Sequence, residues 1–275
     1  MAIAQFSKFS PGGNDTLFIH SHGASQKTCA EIFASLGGEQ WGRADIPSRK
    51  LVMGGGEFCV NAARAFGALL DMETSGEKAA QAREYEMEIS GWPGRITLAV
   101  SGASPDWRVA ARLLLPSCPV VLVDKRHCLV HLPGIWHLLY FGGAAPFPEN
   151  AGHIRDAEEK CQQFGLNGPG ALGIVHCRQN ASAFHILPYV KVPEAGTAMI
   201  EGACGSASLA LALALFRERG IREITVGQPL SSLDVSLEET ADGLLATVSG
   251  PVAFLMAGRF NTSRAQFSGG NKCAE

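Results

Sequence analysis

One structural plan runs twice through the 275-residue chain, and this repetition limits what it can fold into more than any other feature. The plan is strand, polar turn, strand, helix, strands, glycine-containing loop, cysteine, helix. In the first pass, strands over 4–9 and 16–20 flank the turn Ser10-Pro11-Gly12-Gly13-Asn14-Asp15, and a helix is predicted over 26–36. A short strand over 50–53 then leads through Gly54-Gly55-Gly56 to Cys59 and a helix over 59–70. In that helix Phe58, Ala62, Ala65, Phe66 and Leu69 recur at helical spacing. Residues 86–101 alternate as two strands about a Pro93-Gly94 turn.

In the second pass, strands over 128–131 and 138–141 flank Leu132-Pro133-Gly134, and a helix is predicted over 154–164. Strands over 171–177, 183–186 and 189–192 precede Gly202-Ala203-Cys204-Gly205-Ser206 and a helix over 207–219. Further strands are expected over 223–226, 235–238, 244–248 and 252–258, and the Gly/Ser-rich residues 263–275 read as a disordered tail. Cys59 and Cys204 thus stand about half a chain apart in equivalent places, and a duplicated α/β unit is the simplest account.

The net charge of −3 supplies no basic footprint, so nucleic acid is not an expected partner. The first ten residues hold no apolar core of signal-peptide length, and the apolar stretch over 203–216 is too short to span a bilayer. A soluble, cytoplasmic protein without a membrane partner is expected. Eight cysteines would permit disulfides, but a chain this long needs none, and no pair has zinc-ligand spacing, so no metal is expected. Six of the eight read as small buried hydrophobes.

The other two, Cys59 and Cys204, each stand where a loop enters a helix. Free N–H groups and a positive partial charge gather there, lowering a thiol pKa and holding carboxylates. Other chemistries fit less well. The glycine run lacks the third glycine of a dinucleotide loop, since Cys59 occupies its place. Gly202-x-Cys204-x-Ser206 has the form of a nucleophile elbow, but all eight histidines precede Cys204, against the order such hydrolases require. A hydrolase built on Cys59 with a later histidine stays open at this point.

The motifs resemble those of the diaminopimelate epimerases. The first-lobe signature of that family appears as Cys59-Val60-Asn61-Ala62-Ala63-Arg64, and the second as Ala203-Cys204-Gly205-Ser206-Ala207. Gln5-Phe6-Ser7-Lys8 with Gly13-Asn14-Asp15, then Gly134-Ile135-Trp136-His137, then Gly250-Pro251, are similar to its remaining motifs, in the same order along essentially the whole chain. The resemblance implies two pseudo-symmetric α/β lobes, each a curled mixed sheet around a central helix, with the site between them. The N-terminal lobe would be 1–115, joined by the terminal strand 250–262, and the C-terminal lobe 116–249.

It also implies a cofactor-independent racemase or epimerase in which Cys59 and Cys204 are the acid/base thiols, tuned by His137 and Glu194. Asn14, Asn61, Gly205 and Ser206 would hold the α-amino and α-carboxylate groups of an amino-acid substrate. Val60, Ala195 and Ile135 are the remaining positions implied to bind it. Inverting an α-carbon needs one thiolate to abstract and one thiol to donate from opposite faces, so two opposed residues suit the reaction.

The departures bear on the substrate. Ala195 stands where the family places an arginine for a distal carboxylate, Ile135 replaces an asparagine, and a second distal asparagine is lost near Met53. The chemistry is kept and the distal clamp is gone, which implies an uncharged or cationic side chain. Family members that racemise histidine in opine-metallophore pathways have this profile, so histidine is the first expectation, with Trp136 as a surface for its ring. Two alternatives stand beside it: a diaminopimelate epimerase with a rebuilt pocket, and a non-racemising isomerase or binding protein on the same fold. Met256 replaces the family's dimer-interface tyrosine, which leaves a homodimer possible but without its usual contact.

Overall fold

The computed structural model describes residues 3–20, 24–74, 82–142, 147, 149–166, 170–180 and 183–261. The expected tail at 263–275 lies outside them. The first half comprises β1 (Ile3–Ser10), β2 (Thr16–Ile19), α1 (Gln26–Leu36), β3 (Gln40–Asp45), β4 (Lys50–Met53), α2 (Val60–Thr74), β5 (Arg83–Ile89), β6 (Arg95–Ala103) and β7 (Asp106–Leu115). The second comprises β8 (Val120–Leu122), β9 (His127–Leu132), β10 (Ile135–Phe141), α3 (Asn150–Gln163), β11 (Ala171–Asn180), β12 (Ala183–Val192), a 3-10 turn (Pro193–Ala195), β13 (Thr197–Ile200), α4 (Gly205–Arg219), β14 (Glu223–Gly227), β15 (Ser232–Thr240) and β16 (Gly243–Asn261).

The pairing shows the repeat directly. β2 and β3 are parallel across α1, and β10 and β11 are parallel across α3. β4 and β5 are parallel across α2, and β12 and β14 across α4. Antiparallel neighbours complete each set: β1–β2 and β9–β10, β3–β4 and β11–β12. The result is a two-lobed mixed α/β fold. In the first lobe β1 pairs with both β2 and β16, so β1 to β7 and β16 form a closed ring about α2. In the second, β16, β15, β14, β12, β11, β10, β9 and β8 run in order about α4, with β13 on the flank of β12.

The two inner helices are enclosed on every side. Residues 60–71 of α2 and 205–215 of α4 are all buried, as expected for helices apolar all round. The run Ser208-Leu209-Ala210-Leu211-Ala212-Leu213 alternates like a strand, but Ala and Leu are strong helix formers, and a helix fills the axis of a curled sheet. Each fully buried leucine here stabilises the fold by roughly 1.5–3 kcal/mol.

Several elements differ from expectation. Residues 40–45, read as part of a connection, form β3, which is almost entirely buried and has no alternation to reveal it. β7, β8 and β13 were not foreseen at all. β12 and β16 are continuous strands, although Pro188 and Pro251 read as breaks between separate ones. The missing N–H of each proline falls where its strand changes neighbours. β12 pairs with β14 only through His185 and with β13 only from Tyr189, and β16 leaves β15 at Ser249 and joins β1 at Ala253. Among the described residues, no helix is long and apolar enough to cross a membrane.

Candidate active site

The N-termini of α2 and α4 meet head to head. A Cβ on Gly205 would lie 2.8 Å from Asn61 Oδ1 and 2.9 Å from Val60 Cβ, so only glycine allows this approach. Beside the junction lies a narrow cleft, and both Cys59 and Cys204 line it. Asn61, Gly205 and Ser206 form its floor, while Gln40, Trp41, Ile135, Val190, Val192, Ala195, Thr197 and Met199 contribute walls. Three carboxyl groups, Glu39, Glu57 and Glu201, also line it, and among the described residues no lysine or arginine does.

Each cysteine immediately precedes the first residue of its helix. Cys59 carbonyl oxygen accepts from Ala63 N–H at 3.0 Å, and its Sγ accepts from Ala62 N–H at 3.3 Å, the geometry of an N-cap with sulfur in place of oxygen. Cys204 is the N-cap of α4 in an extended conformation, and its carbonyl accepts from Ser208 N–H at 3.1 Å. Its Sγ lies 3.5 Å from Ser206 Oγ, and its N–H donates to Gln228 Oε1.

Side chains from both lobes converge on Ala203, the residue before Cys204. Its carbonyl oxygen accepts from Asn14 Nδ2 and from Asn61 Nδ2, each at 3.0 Å. Asn61 is oriented in turn by buried Arg64, whose guanidinium donates to Asn61 Oδ1 at 3.1 Å, Val109 O at 3.1 Å and Pro251 O at 2.8 Å. Glu39 accepts from Gly202 N–H across the same junction.

The model of the histidine racemase CntK N-terminal domain matches residues 3–259. The chain belongs to the histidine racemase family. Thus it is an amino-acid racemase or epimerase. A histidine racemase of Fusobacterium nucleatum subsp. nucleatum is 26% identical over 270 residues, covering 94% of this chain and 96% of the relative. A hydroxyproline epimerase from Agrobacterium vitis, solved with bound trans-4-hydroxy-L-proline, superposes with a TM-score of 0.65 at 9% identity, covering 94% of this chain and 92% of that one. A Bacillus anthracis protein of the PhzF phenazine-biosynthesis family gives 0.60 at 12% identity, over 95% and 100%. At these identities the structural likeness concerns the fold alone.

In this racemase, burial pushes both thiols above the ordinary cysteine value. The Glu201 charge adds to the effect at each, and Ala62 N–H opposes it at Cys59. Burial also raises Glu201, to about 8, where hydrogen bonds from Cys204 and Asn14 oppose the shift and the charges of Glu39 and Glu57 add to it. Glu39 is raised to about 7, first by burial, and Glu57 is raised by burial as well.

The racemase brings together most of the residues expected from its sequence, but not all. Cys59, Asn61, Ile135, Ala195, Cys204, Gly205 and Ser206 line the cleft, and Val60 packs behind Gly205. Asn14 is fully buried behind the wall, with its amide engaged by Ala203, Gln40 and Thr16. Glu194 stands exposed on the 3-10 turn and does not reach the lining, and Glu201 is the carboxylate beside Cys204.

His137 lies on the inward face of β10, fully buried, away from the lining. Neither ring nitrogen has a hydrogen-bond partner, and burial lowers its pKa to about 3. Trp136, next along the strand, points the opposite way. It is 45% exposed and stacks on His131, with centroids 4.2 Å apart and planes 9° apart, so it offers no surface inside the cleft. Sequence reasoning missed several cleft residues, among them Gln40 and Trp41 on the unforeseen β3 and the carboxyl groups of Glu39, Glu57 and Glu201. The only signal for Glu201 was a carboxylate three positions before Cys204.

Proposed function

We propose that this protein is a cofactor-independent histidine racemase in which Cys59 and Cys204 exchange protons with the α-carbon from opposite sides. The observation that carries the reading is the shared cleft, in which two thiols cap two inner helices whose N-termini abut. One thiolate removes the α-proton while the other thiol returns one to the opposite face. A turnover therefore leaves the two thiols with their protonation states exchanged. The first N–H groups of α2 and α4, which have no partner within their helices, suit the substrate carboxylate and the negative charge that grows on it as the α-proton leaves.

Glu201 is assigned to Cys204 as its proton acceptor, in the role that Glu194 was expected to fill. In this reading Asn14, Asn61 and Arg64 keep the two lobes in register. The lobes divide as 1–115 with 250–262, and 116–249, so that closure of one on the other excludes water from the cleft.

The side-chain assignment rests on charge. A cleft lined by Glu39, Glu57 and Glu201, with no lysine or arginine among the described residues, favours a neutral or protonated imidazole over a distal carboxylate. This argues against the diaminopimelate alternative.

The test is incubation with each L-amino acid in D₂O, followed by α-deuterium incorporation and chiral chromatography. Histidine is expected to exchange and racemise fastest. Exchange confined to another amino acid would refute the substrate, and no exchange with any would refute the mechanism.

A further inference from the structure

Gln40 occupies an unusual position. Its Oε1 accepts the S–H of Cys59, with Sγ 2.8 Å away. Its Nε2 donates to Asn14 Oδ1 at 2.6 Å and Thr16 Oγ1 at 2.7 Å. Asn14 cannot turn its amide over to receive anything else, because its Nδ2 donates to Ala203 O at 3.0 Å. The chain of donors therefore has one direction. Cys59 donates to Gln40, Gln40 to Asn14, and Asn14 to the carbonyl of the residue preceding Cys204.

An amide beside a thiol can act in two ways. Its NH₂ would favour the thiolate, and its carbonyl favours the protonated thiol. Here both amide hydrogens are committed to Asn14 and Thr16, so only the carbonyl faces sulfur. Cys204 has a different neighbour: besides burial, the charge and hydrogen bond of the Glu201 carboxyl group, rather than an amide carbonyl, raise its thiol pKa. The two pseudo-symmetric thiols thus sit in unlike settings.

We propose that Gln40 is a positioning residue that fixes the resting protonation of one thiol: its locked carbonyl holds Cys59 as the neutral, proton-donating thiol of the substrate-free protein. The balance is simple. For the enantiomer whose α-hydrogen faces Cys204, the Cys204 proton passes to the Glu201 carboxylate, Cys204 thiolate takes the α-proton, and Cys59 gives its own proton to the other face. The Ala62 N–H then receives the Cys59 thiolate so formed. After product release Glu201 returns its proton, through solvent, to the Cys59 thiolate. The assignment rests on the two-thiol reading above, yet its central claim concerns the substrate-free protein.

Infrared spectroscopy of the substrate-free protein at neutral pH tests it, because the S–H stretch falls in frequency when the thiol donates a hydrogen bond. A lowered S–H band is expected that disappears in Cys59→Ala. It should move up to the free-thiol position in Gln40→Met, which keeps the length of the side chain but removes the strong acceptor. Gln40→Glu, which retains an acceptor, should keep the lowered band.

In Gln40→Met, kcat should fall by about tenfold or more with little change in KM, since the residue acts on the proton donor rather than on binding. A Cys59 band at the free-thiol frequency in the wild-type protein, or no Cys59 S–H band at all, would overturn the proposal without needing any variant to fold. Because the band is read without substrate, it can be decided even if histidine proves not to be the substrate.

Discussion

Arg64 donates a hydrogen bond to Asn61 Oδ1 from a site where the guanidinium has no solvent exposure. Its other donors meet backbone oxygens of Val109 on β7 and Pro251 on β16, and burial lowers its pKa to about 9. One turn of α2 separates Arg64 from Asn61, so the arginine fixes the rotamer of the residue that bridges to Ala203. Replacing it with methionine takes the donor from the buried Val109 carbonyl and Asn61 Oδ1, at roughly 1–3 kcal/mol each, and from the part-buried Pro251 carbonyl at less. Arg64→Met is expected to lower the midpoint of urea unfolding clearly and to reduce kcat/KM further than the stability loss explains. A fully active, stable variant would show that Asn61 needs no such support.

Gly205→Ala tests the junction of the helices. The added methyl meets Asn61 Oδ1 at 2.8 Å and Val60 Cβ at 2.9 Å, both on a rigid helix terminus. Relaxation must push α2 and α4 apart and displace one thiol relative to the other. Activity should fall by about a hundredfold, as for small misplacements of reacting groups, while the protein still folds. Racemisation rates and circular dichroism together decide this, and unchanged activity would mean that the junction tolerates separation.

How much of this was legible in the sequence follows from the kind of signal each residue gives. Cys59 and Cys204 were found because glycines, helical periodicity and the half-chain spacing all marked them. Gln40 and Trp41 were not, because β3 is buried on both faces and lacks the alternation that identifies a half-buried strand. Glu194 is the carboxylate that the motif resemblance implies. The turn at Pro193–Ala195 projects it outward, while β13 carries the chain back so that Glu201 reaches the cleft. Trp136 and His137 show the limit of motif reading in a strand, where neighbours point to opposite faces whatever their chemistry.

His137 should govern acid stability. Its folded-state pKa of about 3 lies below the ordinary value of 6.5, so below pH 6.5 the unfolded chain takes up a proton that the folded protein refuses. Stability is complete above about pH 6.5 and is lost as pH falls towards 3, by a few kcal/mol in all. His137→Phe removes this loss and also two unpartnered nitrogens. Urea unfolding across that range should show a flatter acid limb in the variant. The same slope in both proteins would place the sensitivity elsewhere.

Glu201 should govern activity above neutrality. With its pKa raised to about 8, it holds a proton at pH 6 and releases it as pH rises, and only then can it accept the proton of Cys204. The Cys204–Glu201 pair is coupled, so the rise expected in kcat/KM through about pH 8 reports the first macroscopic step of the pair. For stability the sign is opposite. The unfolded carboxyl ionises near 4.5 and the folded one near 8, so stability is highest below 4.5 and declines up to 8. Glu201→Gln should remove both trends, abolishing most activity while flattening stability over that window. Retention of the wild-type pH profile in the variant would assign the limb to another group.

The last expectation concerns the side chain of the substrate. Ala195 lines the cleft where the diaminopimelate epimerases place an arginine, and the point where a Cβ on Gly55 would lie is within 3.2 Å of both Ala195 N and Glu57 Oε2. A carboxylate, not a cation, therefore stands next to the position that would have to hold a second carboxylate. Bringing an anionic side chain there means desolvating it beside like charge, on the order of several kcal/mol, or a hundredfold and more in kcat/KM. An imidazole meets no such barrier, and as an imidazolium it is drawn to the same carboxylates. L-Histidine should accordingly be turned over far better than LL-diaminopimelate. Ala195→Arg should lower the histidine rate by occupying the wall and neutralising Glu57, and should narrow the gap between the two substrates. Side-by-side kcat/KM values in both proteins decide it. A wild-type preference for diaminopimelate would mean that a cation from outside the described lining enters the cleft.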